Sequence, residues 1–392
     1  MINVFIFNPL GLENGRGGEI SAIELASGLK KFYNITLMDT NILIGKRLLS
    51  QKVIQKKLKE VKRDKQMKFA IFKILNKTFT FPYPWEIPKL SREIKKSDIV
   101  YTSSFTIKFD LLLIFLSLIH RRTKFIIGFR KPLFSEKLFS FYNLKFRISI
   151  LLFSLLKKRF YFHTISYHAK KFLETFFEKE KVIHIVHGVE LERFLEKGTE
   201  NRREDVLSFI YVGYLDDTHK GVGVLLDGIE EFIGEHKDLS LFFEFCGAGP
   251  LEHRLTELQE KFPNLVKYQG YINNDRISDY YKRNDVFLFT SRREPFGRVI
   301  VEALASNLLI ICTKTFGSME ILKGKKFAFF LSELKSDIIK DKIFSLYKLW
   351  QEKNEYFKSL QESAKIYALD NYAYSKELEM FKELIHKLKF NN

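Results

Sequence analysis

Two glutamates eight positions apart carry the first chemical signal. In "SRREPFGRVIVEALAS", residues 291–306, Glu294 and Glu302 bracket Pro295, Phe296 and Gly297, and Glu302 stands among Val299, Ile300, Val301, Ala303, Leu304 and Ala305. The preceding "DVFLFT" reads as a strand and "SRREP" as a loop, so Pro295 and Gly297 punctuate a strand-to-helix turn. A helix start presents free N–H groups and partial positive charge, suited to an anionic or hydroxyl-rich ligand. Glu294 falls at the mouth of that turn. Glu302 falls just over one turn into a helix that is apolar on nearly every side, which predicts at least partial burial. A buried carboxylate needs donors. A ribose diol supplies two hydroxyls; Arg298, four residues earlier, is the plainer partner.

Three further loops repeat the pattern. In "FIYVGYLDDTHKGVGVLLDGIEEF", residues 209–232, Gly213 ends a strand, and Lys220-Gly221 opens a helix where a lysine is placed as a point charge for phosphate. "FCGAGPLEHRL" runs a strand into Gly247 and a helix, and "TKTFGSMEIL" puts Gly317 and Glu320 after another strand. Four strands of this half thus end in glycine or acidic turns on one sheet edge. Ligands of parallel sheets bind beyond the carboxyl ends of the strands.

The elements that must position these residues are legible as short apolar runs. They cover 3–7, 34–39, 98–103, 124–129, 161–166 and 181–186, and, after a break, 207–213, 240–247, 266–271, 285–290, 308–313 and 327–331. Continuous apolar runs separated by helical patterns predict parallel strands covered on both faces, in two doubly wound α/β domains. The polar stretch "ELERFLEKGTENRREDV", 190–206, is the candidate linker, and 373–392 reads as a terminal helix. The lysine-rich 50–68 reads as one or two exposed helices inserted in the first domain.

With 392 residues, two domains are the natural division. Hydrophobic residues make up 46% and include 40 Phe, enough for two cores. A formal charge of +18 suits nucleic acid, an anionic membrane or phosphorylated substrates, and does not choose among them. Cys246 and Cys312 lie in apolar runs and fit no metal spacing, so both read as core residues. His120, His163 and His187 also read as structural. The start "MINVFIFNPLG" reads as a first strand, and "LLLIFLSLI", 111–119, is far short of a membrane span. A cytoplasmic protein, free or resting on a membrane, is expected. "KFRISILLFSLLKKRF", 145–160, joins an apolar centre to basic ends, and lysines crowd 52–68. These motivate an anionic membrane surface as partner; the rival reading is a buried core helix at 148–156 with solvated lysines around it.

The glutamate pair, Lys220 and the glycine turns together resemble the retaining glycosyltransferases of family 4, which have the GT-B architecture: two Rossmann-like domains with an interdomain cleft. The resemblance covers most of 207–323. It implies an N-terminal acceptor domain over 1–190, a C-terminal nucleotide-sugar domain over 207–372, and a helix over 373–392 packing back on the first. It implies a hexosyltransferase with a nucleotide-diphosphate sugar as co-substrate, no tightly bound cofactor or metal, and a glycan or lipid-linked acceptor. By resemblance, Glu294 contacts hydroxyls of the transferred sugar, Glu302 holds the ribose, Lys220 binds the diphosphate, and the amides near Phe296 and Gly297 face the donor. Gly213 and Gly247 line the same edge. "HGVELERF", 187–194, resembles the segment leading between the domains, and "GRGGEISAIELASGL", 15–29, resembles the glycine loop facing the donor phosphates, with Gly17 and Gly18 permitting close approach.

Departures are specific. Tyr214 stands where the family usually has arginine, leaving His219, Arg292 or Arg293 as replacement cations. Phe129 and Arg130 stand where a histidine usually contacts the sugar, so Arg130 is the candidate substitute. Asn307 and Leu309 replace a usual glycine and proline. Two rivals remain: a non-catalytic glycosyltransferase-like partner subunit, suggested by Tyr214 and Arg130, and a basic nucleic-acid-binding protein, disfavoured by scattered charge and the lack of a binding motif.

Overall fold

The computed structural model describes residues 1–8, 17–40, 63–67, 69–74, 77–103, 107–129, 141–156, 159–195, 205–236 and 238–390. The chain forms two compact units, Met1–Val186 with Glu377–Asn392, and His187–Lys376.

In the first unit the strands are β1 (Asn3–Phe7), β2 (Asn34–Thr40), β3 (Arg63–Met67), β4 (Phe69–Ile74), β5 (Lys77–Pro82), β6 (Ile99–Thr102), β7 (Lys124–Phe129), β8 (Phe160–Thr164) and β9 (Val182–His184). Seven form one sheet in the order β3-β2-β1-β6-β7-β8-β9, every pair parallel. The continuous apolar runs follow from two buried faces. Phe5 and Phe7 point into one core with Phe125, Phe153 and Phe162. Val4 and Ile6 point into the other, with Tyr101 and Ile126. That second core is completed by Phe381, Leu384, Ile385 and Leu388 of the terminal helix Tyr374–Phe390.

The lysine-rich segment departs from expectation. Arg63–Met67 is the edge strand β3, paired parallel with β2, and not helix. An edge strand is bonded on one side only and tolerates charge, so "RDKQM" needs no apolar pattern. Residues 50–62 lie outside the described residues. β4 and β5 form a separate antiparallel hairpin.

The second unit holds β10 (Leu207–Val212), β11 (Leu241–Cys246), β12 (Val266–Tyr268), β13 (Val286–Phe289), β14 (Leu309–Cys312) and β15 (Ala328–Phe330), ordered β12-β11-β10-β13-β14-β15 and parallel throughout. The winding direction reverses between β10 and β13, so the loops after these two strands flank the switch point.

Candidate functional site

The loops after β10, β11, β13 and β14 emerge from the carboxyl edge of neighbouring parallel strands, which brings Gly213, Lys220, Gly247, Glu294, Phe296, Gly297 and Glu302 to one rim of the second unit. A Cβ on Gly247 would fall 1.9 Å from the Gly213 carbonyl oxygen, so these two turns touch backbone to backbone. The Gly247 amide donates to the Gly270 carbonyl.

Lys220 Nζ lies 2.8 Å from Glu294 Oε2, joining the two loops that flank the switch point. Both side chains are only partly covered, 25% and 18% exposed, so an incoming ligand can still reach them. The lysine loop is shaped by Asp216. Its buried carboxylate accepts from the Lys220 amide at 3.0 Å and the His219 amide at 3.3 Å, and meets His219 Nδ1 at 2.8 Å. The two loops are also stitched together: Thr290 Oγ1 donates to the Lys220 carbonyl, the Arg292 amide to the His219 carbonyl, and the Arg292 guanidinium to Asp217. Of the three replacement cations, then, His219 and Arg292 are engaged in holding the loop, while Arg293 is exposed. Tyr214 is 52% exposed, and its carbonyl accepts from the Tyr211 hydroxyl.

The glutamate turn leads into helix Arg298–Ala305 through Gly297, whose φ of 92° is left-handed backbone that glycine adopts without strain. The Gly317 amide donates to the Glu294 carbonyl at 2.9 Å and fixes the turn from the β14 side. Phe296 is buried against His187 and Tyr372, so its ring is an anchor and only its backbone is available at the rim. Arg298 reaches His187 Nε2 at 3.4 Å. Ile300 to Ala305 are buried on all sides, and Glu302 is 6% exposed within them. The fully buried Tyr281 hydroxyl donates to Glu302 Oε2 at 3.5 Å. Burial, with the Glu302 charge beside it, pushes the tyrosine well above its ordinary pKa, so it stays a neutral donor.

Gly17 and Gly18 begin helix Gly17–Leu29 after β1, which flanks the switch point of the first unit's own sheet. Arg130 lies outside the described residues; Phe129 before it is buried at the end of β7. His163 is a satisfied core histidine, held by the Tyr101 hydroxyl and the Ile185 carbonyl. Cys246 and Cys312 are free and buried, and burial pushes both thiols up. Among the described residues no group of three His, Cys, Asp or Glu is placed to hold a metal ion, and no helix is long and apolar enough to cross a membrane.

Residues 192–364 match the model of the family Glycosyl transferases group 1. The matched stretch contains Gly213, Asp216, Lys220, Gly247, Tyr281, Glu294, Phe296, Gly297 and Glu302, while His187 and Tyr372 lie outside it. A phosphatidylinositol N-acetylglucosaminyltransferase gpi3 subunit from Schizosaccharomyces pombe is 30% identical over 121 residues, 30% of this chain and 26% of that relative. The chain spans about a quarter to a third of the length of the curated relatives it matches. Among solved structures, a glycosyltransferase from Rickettsia africae ESF-5 covers 100% of this chain and 99% of its own at TM-score 0.74 and 18% identity. Anabaena HepE in complex with UDP covers 99% and 100% at TM-score 0.76 and 15% identity. The fold is GT-B, with two Rossmann-like parallel-sheet units.

Two residues of the matched stretch escaped sequence reasoning. Asp216 carried a usable signal: an aspartate four residues before Lys220, in "LDDTHKG", is a turn former whose side chain bonds nearby amides. Tyr281 carried none, because its relation to Glu302, 21 residues on, exists only through packing.

Proposed function

We propose that the protein is a retaining glycosyltransferase of family 4, a hexosyltransferase that moves a sugar from a nucleotide-diphosphate sugar to a glycan or lipid-linked acceptor on the cytoplasmic side of a membrane. One observation carries the reading: the Lys220–Glu294 pair spans the switch point of the second sheet, with the buried Glu302 carboxylate on the helix that follows. In this reading Glu302 accepts from the ribose diol and Lys220 takes the diphosphate. Glu294, released from the lysine by that phosphate, orients the sugar hydroxyls. The C1–oxygen bond breaks and the diphosphate leaves with the electron pair. The acceptor oxygen bonds to C1 on the same face, and its proton passes to the departing phosphate. The largest charge develops on the diphosphate, where a preorganised cation stabilises it most. UDP, held by HepE, is the first nucleotide to test.

Tyr214 favours a second reading, a non-catalytic partner subunit. The two separate on turnover. Release of nucleoside diphosphate from UDP-, GDP- and ADP-hexoses is measured with and without membrane extract as acceptor source, and the anomer formed is read by NMR coupling. Release from one donor with the α or β configuration kept supports the proposal. Binding of a nucleotide without release, with or without acceptor, supports the subunit reading.

A further inference from the structure

Among its described residues, the first unit exposes an apolar face. Helix Ile107–Ile119 buries Phe109, Leu113 and Leu116 in the core but turns Leu111, Phe115, Leu118 and Ile119 outward. These recur at helical spacing, so they form one stripe. Helix Phe141–Leu155 packs beside it, buries Ile150 and Phe153, and turns Ile148, Leu151 and Leu155 outward, the last 72% exposed. Both helices follow neighbouring strands of one parallel sheet, β6 and β7, so they run side by side in the same direction. The Arg159 guanidinium, just past the second helix, donates to the Ser117 carbonyl near the end of the first. Single exposed leucines need no explanation; contiguous apolar stripes on adjacent helices mark a contact surface.

The charge around this face selects the occupant. Asp110 is the one acidic residue on either helix, and it is buried. At the end where both helices finish stand the exposed Arg121 and Arg122, with Arg159 between the helices. Helix Ile87–Lys96 adds Lys95 there; its Ser91 bonds His120 at 2.8 Å, and Lys95 helps depress the His120 pKa after burial does. An apolar stripe ending in cations, with no accessible carboxylate among the described residues of the two helices, complements an anionic bilayer surface: acyl chains take the leucines and phosphate headgroups take the arginines. A second copy docking by this same face would present the same cations, Arg121 and Arg122, to their counterparts.

We infer that the face formed by Leu111, Phe115, Leu118, Leu151 and Leu155, with Arg121 and Arg122 at its end, seats the first unit on an anionic lipid leaflet. This surface is distinct from the glutamate–lysine site and does not depend on the activity proposed for it. Sedimentation of the full chain with vesicles of phosphatidylcholine alone, or with one-third phosphatidylglycerol, tests it. Binding is expected to the anionic vesicles, weakening with added salt. Arg121→Gln with Arg122→Gln should weaken it about fivefold per arginine, from roughly 1 kcal/mol each near such a surface. Phe115→Ser with Leu151→Ser and Leu155→Ser should weaken it roughly tenfold or more even at low salt, since apolar burial is lost. The replaced side chains are already exposed, and circular dichroism checks that the fold is kept. The idea fails if the wild type stays in the supernatant at low salt. It also fails if the serine variant binds unchanged, which would assign binding to diffuse charge. A wild-type dimer in analytical ultracentrifugation that the serine variant dissociates, without vesicle binding, would overturn it in favour of self-association.

Discussion

At the residue scale, Lys220 and Glu294 are each other's partners, and this shapes what their loss should do. If Lys220 meets the leaving diphosphate as proposed, Lys220→Ala should lower turnover at saturation more than nucleotide affinity, by roughly two orders of magnitude if one charge-assisted bond of about 3 kcal/mol acts in the transition state. Steady-state kinetics with a fixed donor, set against calorimetric affinity, measures both; a loss confined to affinity would make Lys220 a binding residue only. Tyr281→Phe removes a long bond to the Glu302 carboxylate, which in the proposed reading also holds the ribose. It should lower nucleotide affinity only a fewfold, and calorimetry with the same nucleotide checks this. A loss as large as that from Glu302→Ala would mean that the hydroxyl positions the carboxylate and not merely neighbours it.

At the element scale, helix ends and strand edges decide stability. Asn307 has φ 66°, a left-handed conformation at the end of helix Arg298–Ala305. Asparagine is tolerated there, whereas a β-branched residue is strained. Asn307→Val should lower stability by about 1–2 kcal/mol and Asn307→Gly should not; thermal unfolding of the two variants decides. In the first unit, Lys389 of the terminal helix meets Asp98 at 2.6 Å, and the Asn3 amide donates to the same carboxylate. Burial pushes the Asp98 pKa up, but these partners outweigh it and hold it below its ordinary value. A depressed folded pKa means that the stabilisation is present above the unfolded value, near pH 4, and is lost as pH falls through the folded one. Both groups are partly exposed, so Lys389→Ala should lower stability at pH 7 by no more than about 1 kcal/mol, and the difference should vanish toward pH 2. The sequence revealed the interior strands because runs such as Val286–Phe289 and Leu309–Cys312 are buried on both faces and must be apolar throughout. It concealed β3, whose edge position permits "RDKQM", and it concealed Tyr281, which meets Glu302 only through tertiary packing. The glutamate turn was legible because Pro295 and Gly297 announce local geometry; the engagement of Arg292 by Asp217 was not, because it joins loops 75 residues apart.

At the scale of the whole molecule, the chain crosses from one unit to the other and returns. Residues 187–376 form the second unit, and the terminal helix gives its last turns to the first. Phe381, Leu384, Ile385 and Leu388 are buried there, and removing them exposes a core. At about 1.5–3 kcal/mol each, the loss is comparable to the whole stability of a domain. Truncation after Lys376 should therefore unfold the first unit, read as loss of one calorimetric transition, while a nucleotide still raises the unfolding temperature of the second. The most direct test of the proposed site is a calorimetric titration of the full chain with UDP, GDP and ADP, repeated on Glu302→Ala. One nucleoside diphosphate should bind the wild type and lose roughly ten- to a hundredfold in affinity in the variant, since hydrogen bonds to a charged group are worth about 1.5–3 kcal/mol. Unchanged affinity in a folded variant, or no binding by the wild type to any of the three, would contradict it.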